Sequence, residues 1–196
     1  MNTAHPIRNP EDLEQFKGYY QYQKPHPRNY LLIILGLNTA LRISDILNLR
    51  WEHVYDFQMG RYRNHISIIE QKTGKKTSIL LNQNIVRALS WYQQSLSGSN
   101  KNIQPQDFLF CHKNENVPIS RVQAFRLIKK AAERCQISGT ISCYSLRKTF
   151  GYHAWQQGVS PALLMNIYNH SSYEVTKRYL GIEQDDRDNI FRSIHL

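Results

Sequence analysis

Cysteine is scarce in this sequence of 196 residues, and its spacing argues against two kinds of protein. The three cysteines, Cys111, Cys135 and Cys143, form no CxxC pair and match no zinc-ligand pattern. A disulfide-stapled domain or a zinc module would need such pairs. We therefore expect three core thiols in a reducing compartment and no metal site.

Long apolar stretches are missing as well. The longest run, LLIILGL, is much too short to cross a bilayer, and the first residues lack the apolar stretch of a signal peptide. We therefore expect no membrane association and a cytoplasmic location.

Acidic residues are few relative to basic ones. Fifteen Asp and Glu stand against 25 Lys and Arg, which gives a formal net charge of +10. The resulting positive field predicts a polyanionic partner, although a basic protein without a nucleic-acid role is the alternative. At 196 residues, the chain is long enough to fold around its own core, and 41% of its residues are hydrophobic.

Helical patterns dominate what the sequence does contain. Asn9-Pro10 and the acids that follow predict a helix start after a loose lead-in, and YLLIILGLNTAL predicts a buried helix. Ile66 and Ile68, the turn QKTGKK and the extended TSILL predict a β-hairpin with Lys72 at its tip. The predicted fold class is mainly α with a small antiparallel β-hairpin sheet.

The domain boundaries follow from composition. No linker-like stretch divides residues 25–182, so we expect one domain there, after a lead-in over 1–24 with a short helix and before a tail over 183–196. Capping signals mark the later helices. The expected caps are Ser120 with Gln123, Ser160 before Pro161, Ser171 with Glu174, and Gly181.

The segment RVQAFRLIKKAAERC reads as a basic amphipathic helix. Val122, Phe125, Ile128 and Ala132 are predicted to share its apolar face. A solvated basic face is the commonest meaning of such a helix, and contact with DNA phosphates is the functional alternative.

Cutting a DNA phosphodiester without a metal requires a nucleophile, fixed cations around the phosphorus and a proton donor for the departing sugar oxygen. Arginine suits the phosphate oxygens because its planar fork donates two parallel hydrogen bonds and keeps its charge. Lysine can supply a mobile proton. These requirements direct attention to five short motifs, which occur in the order TALRISDIL, QKTGKK, YSLRKTFGYH, NHSS and KRYLGI.

Across residues 25–182 these motifs resemble the tyrosine recombinase, or phage integrase, family. The resemblance implies the catalytic-domain fold of that family and a site-specific recombinase that cuts and rejoins DNA through a 3′-phosphotyrosine, with no metal or nucleotide cofactor. Arg42 and Arg147 would bind the scissile phosphate, and Tyr179 would attack it. Lys72 would protonate the leaving 5′ oxygen, with Lys75 and Lys76 as alternatives, and His170 would donate to a phosphate oxygen.

One motif departs from the family pattern. Tyr144 stands where most members have a histidine, and Lys148 stands where many have a second one. A phenol, with a reference pKa of about 10 against about 6.5 for imidazole, cannot readily accept a proton at neutral pH. We expect slower cutting, or a different use of Lys72, Lys148 or His153.

Each residue also has an ordinary structural interpretation. Arg42 could pair with Asp45 at the surface, Lys72 could be solvated, His170 could be a loop residue, and Tyr179 could be a core aromatic. The order of all five motifs favours the functional interpretation.

The resemblance also implies partners. Double-stranded DNA is expected, with contacts from Arg121, Arg126, Lys129 and Lys148, together with self-association as a tetramer in synapsis and accessory DNA-binding proteins. The chain resembles short members without an N-terminal core-binding domain, or a fragment. Two other functions stay open, namely a DNA-binding accessory protein that cuts weakly and a relaxing enzyme of the type IB topoisomerase kind.

The tail carries an apolar stripe behind an acidic cluster. Ile190, Phe191 and Ile194 fall close together on one helical face, which would suit docking on a neighbouring subunit. Packing onto its own domain is the alternative.

Overall fold

The computed structural model describes residues 4–98, 102–112 and 115–194. Its elements, in chain order, are α1 (Pro10–Gly18), a π-helical turn (Tyr19–Gln23), α2 (Pro27–Thr39), α3 (Ile43–Leu47), a 3-10 turn (Trp51–His53), β1 (Tyr55–Asp56), β2 (Arg61–Tyr62), β3 (His65–Ile69), β4 (Lys76–Leu80), α4 (Gln83–Ser97), α5 (Arg121–Arg134), α6 (Cys143–Gln156), α7 (Pro161–Tyr168), α8 (Tyr173–Leu180) and α9 (Glu183–Ser193). The predicted fold class is confirmed.

Helix α2 lies at the centre of the core. Its residues 31–35 are at most 3% exposed, as expected for a helix that is apolar all round. It packs against α4 and α6 and, through the π-helical turn, against the N-terminal part of the chain. A Cβ at Gly36 would collide with Leu146, so glycine permits the close approach of α2 and α6. Helix α6, which carries two motifs, is thereby fixed on the core.

The predicted hairpin is confirmed. Strands β3 and β4 pair antiparallel from His65 opposite Leu80 to Ile69 opposite Lys76. Ile66 is fully buried and anchors the hairpin on the core. The short pair β1 and β2, which the sequence analysis did not anticipate, forms a second small antiparallel sheet.

Most helix ends follow their predicted caps. Asn9 accepts from the backbone of Glu11, and Ser120 forms a capping box with Gln123. Gly181 ends α8 in the left-handed region at φ 73°. The start of α8 was predicted one residue too early, because Ser172 rather than Ser171 accepts from the backbone N–H of Val175.

Residues 4–10, predicted as part of a loose lead-in, pack on the domain instead. Ala4 and Ile7 are 3% and 2% exposed, and the His5 N–H donates to the Thr140 carbonyl at 2.9 Å. Phe16 on α1 is fully buried in the same core cluster as Ile33 of α2. Residues 4–24 therefore contribute to the core of the domain that follows them.

The apolar face of α5 differs from the predicted one. Its buried residues are Ala124, Ile128, Ala131 and Ala132, whereas Val122 and Phe125 are 56% and 38% exposed. At about 100° per residue, Val122 falls on the far side of the helix from Ala124. The small residues face inward because they allow α5 to approach its neighbours closely.

Among the described residues, no helix is both long enough and apolar enough to cross a membrane.

Candidate active site

Tyr179 is the penultimate residue of α8 and faces a cluster of aromatic and cationic side chains. Its ring centroid lies 5.4 Å from that of Tyr168 and 5.2 Å from that of His170. Burial raises the pKa of Tyr179, while the nearby guanidinium groups of Arg147 and Arg42 oppose that rise. The phenol therefore lies where two fixed cations can stabilise its ionised form.

Arg147 comes to this cluster from α6, and its side chain is buried. Its guanidinium donates to the carbonyls of Ala40 and of Tyr168, the latter at 3.3 Å, and lies 4.6 Å from the centroid of the Tyr168 ring. Ala40 ends α2 in the left-handed region at φ 54°, which helps to place its carbonyl here. Burial lowers the pKa of Arg147, but an arginine remains charged.

Arg42 lies at the N-cap of α3 and pairs with Glu70, which follows β3. The Glu70 carboxylate also accepts from Thr77 at 3.0 Å and from Thr73 at 3.2 Å. Asp45, the partner considered in the ordinary interpretation of Arg42, instead accepts from the backbone N–H of Gln71 at 2.9 Å. Arg42 is thus held by the hairpin that carries Lys72.

His170 follows α7 and is fixed by two neighbours. Its Nδ1 lies 3.0 Å from the hydroxyl of Thr176, which is fully buried on α8, and its ring stacks on Tyr168 at 5.4 Å. The Thr176 hydroxyl in turn donates to the Ser172 carbonyl at 3.3 Å, so its oxygen can accept from Nδ1–H. Burial, then Arg147 and Arg42, lower the pKa of His170, which keeps the imidazole neutral at pH 7.

Lys72 is exposed in the turn between β3 and β4, and the structure does not bring it to Tyr179. It makes no hydrogen bond or ion pair with any described residue. The Lys75 amine donates to the backbone carbonyl of Asn166 at 3.0 Å, which ties the hairpin to α7. Lys76 lies on β4 opposite Ile69. Of the three hairpin lysines, Lys75 is thus held by α7, whereas Lys72 and Lys76 are exposed.

The two residues that depart from the family pattern both lie beside the phenol. Tyr144, 42% exposed in the first turn of α6, raises the pKa of Tyr179 through the proximity of a second ionisable hydroxyl. Lys148 is buried, with its amine 2.8 Å from the Ala4 carbonyl and 5.2 Å from the centroid of the Tyr179 ring. Burial lowers the pKa of Lys148. His153 lies apart from them, with Nε2 at 3.0 Å from the Ile7 carbonyl.

The residues predicted to bind DNA do not all share one surface. Arg121, Arg126 and Lys129 are exposed on α5, where Lys129 pairs with Glu133 at 3.5 Å. Arg121 is close enough to Cys143 to oppose the effect of burial, which raises the pKa of that thiol to about 11. The start of α5 therefore lies beside the start of α6 and Tyr144. Lys148, by contrast, lies inside the site.

Sequence reasoning missed three supporting residues. Glu70 holds Arg42, Thr176 holds His170, and Tyr168 provides both a ring and a carbonyl for Arg147. An acid two residues before Lys72 was a signal that could have pointed to Glu70. The contacts of Thr176 and Tyr168 depend on how α6, α7 and α8 pack together.

Two arginines, a neutral histidine and a phenol thus converge on one place, which suits an anion that is attacked by an oxygen nucleophile. Among the described residues, no three His, Cys, Asp or Glu side chains come together as metal ligands would.

The sequence is similar to that of known proteins. The sequence model of the phage integrase family matches residues 9–185. The protein named "Probable integrase/recombinase YoeC" of Bacillus subtilis (strain 168) is 37% identical over 185 residues, which cover 94% of this chain and 93% of that protein. A tyrosine recombinase of Pseudothermotoga lettingae is 26% identical, over 95% of this chain and 64% of that protein.

Solved structures agree. The crystal structure of XerA recombinase superposes with a TM-score of 0.73 at 18% identity, covering 97% of this chain and 66% of that one. XerH recombinase in its post-cleavage complex with a palindromic difH substrate gives 0.71 at 18% identity, over 91% of this chain and 50% of that one. These likenesses confirm the predicted catalytic-domain fold. The chain spans about two thirds or less of the length of these solved proteins.

Proposed function

Because this chain belongs to the phage integrase family, we propose that it is a tyrosine-type site-specific recombinase that cuts and rejoins DNA through a covalent bond to Tyr179. The observation that supports this proposal best is the convergence of Arg42, Arg147 and His170 on the phenol of Tyr179. The three side chains come from three different parts of the chain, and a structural role for Tyr179 would not require them.

The proposed reaction begins with a DNA phosphate bound to Arg42 and Arg147. Their positive charges stabilise the additional negative charge of the five-coordinate transition state. Arg147 is held in place beforehand by the Ala40 and Tyr168 carbonyls, so little reorganisation is needed when the phosphate arrives.

Cleavage forms one bond to phosphorus and breaks another. The Tyr179 oxygen forms a bond to phosphorus, the bond from phosphorus to the 5′ oxygen breaks, and the product is a 3′-phosphotyrosine. The phenolic proton passes to neutral His170, which then donates to a phosphate oxygen. Lys72 supplies the proton that the departing 5′ oxygen needs. Attack by a 5′ hydroxyl on the phosphotyrosine reverses these steps, so a strand can be rejoined without an external energy source.

A covalent-trapping experiment tests the proposal. Duplexes recovered by binding selection from a random library would be nicked so that cleavage releases a short 5′-hydroxyl fragment. We expect a DNA-linked band on a denaturing gel that is absent for Tyr179→Phe. Duplexes that bind tightly at every nick position but give no band would contradict the proposal.

Tyr144 is the observation that favours a second function. If the phenol at this position cannot replace an imidazole, the protein would be a DNA-binding accessory factor that cuts weakly. Tyr144→His would then raise the yield of covalent product. A relaxation assay on supercoiled plasmid, compared with an assay that needs two target sites, would distinguish a type IB topoisomerase-like activity.

We also propose that the protein assembles on DNA through α9. Phe191 of α9 is 80% exposed, and Ile194, the C-cap of α9, is 55% exposed. Their apolar side chains therefore face solvent. Of the predicted stripe, the side chain of Ile190 lies outside the described residues. Phe191→Ser should weaken DNA-dependent assembly on native gels, whereas Arg192→Ser, a change at the neighbouring residue, should not. Equal assembly by both variants would reject this role of α9.

A further inference from the structure

The N-terminal residues 4–8 run along α6, the helix that carries Arg147. Lys148 donates to the Ala4 carbonyl at 2.8 Å, and the Ile7 N–H donates to the Thr149 hydroxyl at 2.9 Å. The Ile7 carbonyl lies 3.0 Å from Nε2 of His153. Because successive turns of α6 hold this segment at both ends, its position is defined by the helix.

Arg8 extends from this segment to the end of α8. One nitrogen of its guanidinium donates to the Gly181 carbonyl, and another forms an ion pair with Asp185 of α9 at 3.0 Å. The guanidinium also lies 5.0 Å from the centroid of the Tyr152 ring on α6. A single side chain therefore joins α6 to the junction of α8 and α9.

This junction is where α8 needs support. Helix α8 has eight residues, and Gly181, its left-handed C-cap, follows Tyr179 by two positions. The last carbonyls of a helix have no partner within the helix, and a cation at this end both satisfies them and complements the helix dipole. Misplacing a catalytic group by about 1 Å can lower a rate roughly 100-fold.

We propose that Arg8 is a positioning residue that fixes the last turn of α8, and with it the Tyr179 phenol, relative to Arg147. The proposal rests on the proposed role of Tyr179 as the nucleophile. Arg8 acts through α8 and does not touch the substrate. Its side chain is 43% exposed, so the ion pair contributes little to global stability and its effect is local.

Hydrogen exchange of the free protein tests the structural part of the proposal without any DNA. In Arg8→Ala, we expect amides 177–182 to exchange at least several-fold faster, while amides in α2 keep their rates. Arg87→Ala removes the same charge from the exposed face of α4 and serves as the matched control. Unchanged exchange at the end of α8 in Arg8→Ala would overturn the proposal, whether or not the protein cuts DNA.

The rate of covalent product formation on prebound nicked DNA tests the catalytic part. We expect Arg8→Ala to form the product at least tenfold more slowly, with DNA affinity within twofold of the wild type. Arg8→Lys, which can still donate to Gly181 and pair with Asp185, should recover part of the rate. Product formation by Arg8→Ala at the wild-type rate, or parallel losses of rate and affinity without rescue by lysine, would overturn the proposal. A wild-type protein that forms no product would instead contradict the nucleophile role of Tyr179.

Discussion

At the scale of single residues, the site depends on side chains that hold other side chains. Arg42 is held by Glu70, His170 by Thr176, and Arg147 by two backbone carbonyls. Each supporting contact fixes a cation or an imidazole before DNA arrives. Rates of covalent chemistry should therefore respond to substitutions at residues that never contact the substrate.

Glu70→Gln tests this dependence for Arg42. The amide keeps the shape of the side chain but loses the charge, and hydrogen bonds to charged groups contribute about 1.5 to 3 kcal/mol. We expect the rate of covalent product formation to fall roughly 10- to 100-fold, with DNA affinity maintained or higher because a negative charge is removed. Glu52→Gln, at an exposed position before β1, is the control. A Glu70→Gln protein that cuts at the wild-type rate would show that Arg42 needs no support.

The lowered pKa of His170 predicts a dependence of stability on pH. Because its folded-state pKa lies below the unfolded value near 6.5, the unfolded chain binds more protons as the pH falls past about 6.5. The stabilising effect of neutral His170 is fully present above that pH and is lost as the pH falls towards the folded-state pKa. The free energy of unfolding should thus decline on acidification.

Urea unfolding at pH 7, 6 and 5 would measure that decline. His170→Gln should lose less stability on acidification than the wild type. His26 and His53, whose pKa values are also lowered mainly by burial, are present in both proteins and cancel in the difference. Parallel pH profiles for the two proteins would be inconsistent with a depressed pKa at His170.

At the scale of secondary-structure elements, the Tyr179 phenol is positioned by the packing of α6, α7 and α8. Gly151 on α6 lies against Tyr168 of α7 and Leu180 of α8, and a Cβ there would collide with both side chains. The Tyr168 hydroxyl donates to the Arg147 carbonyl at 2.6 Å across the same contact. The three helices therefore meet at a point where even one methyl group does not fit.

Gly151→Ala should force these helices apart. Overpacking of a tight core contact costs about 1 to 3 kcal/mol, and the displacement should reach Tyr179 through Leu180. We expect a lower melting temperature by calorimetry together with a reduced rate of covalent product formation. Gly98→Ala, where the new methyl group meets only ordinary contacts, should leave both unchanged. A fully stable and active Gly151→Ala protein would show that α8 tolerates displacement.

At the scale of the whole molecule, the basic residues behind the net charge of +10 fall into two groups, buried and exposed. Some cations are used inside the site, as Arg147 and Lys148 are buried, whereas Arg126 and Lys129 are exposed on α5 together with apolar Val122. Only the exposed cations can release counterions by contacting DNA phosphates from the protein surface.

The salt dependence of DNA binding measures this distribution. We expect Arg126→Ala and Lys129→Ala each to lower the slope of log K against log salt by about 1, and to weaken binding to different sequences alike. Fluorescence anisotropy between low and moderate salt would measure the slope, with Arg87→Ala as the charge-matched control on α4. If Arg87→Ala lowers the slope and the α5 variants do not, DNA binds to another face of the molecule.

The sequence by itself determined most of the helices, the β3–β4 hairpin and the order in which the chemical motifs occur, but not the short pair β1 and β2. The caps at Asn9, Ser120 and Gly181 and the β3–β4 hairpin were predictable because capping and alternation depend on residues within one or two turns of each other. Arg42, Arg147, His170 and Tyr179 became candidate site residues through motif order and the family resemblance, and the structure brings these four side chains together.

Only the tertiary structure decided which side chains support them. Glu70 rather than Asp45 became the partner of Arg42, Lys148 turned inward to the Ala4 carbonyl, and residues 4–8 packed on α6 instead of remaining loose. Local periodicity does not contain this information, because these partners lie 28 to 144 positions apart in the chain. Their distances are set by how α2, α6 and α8 pack, and that packing follows from the shapes of all the side chains between them.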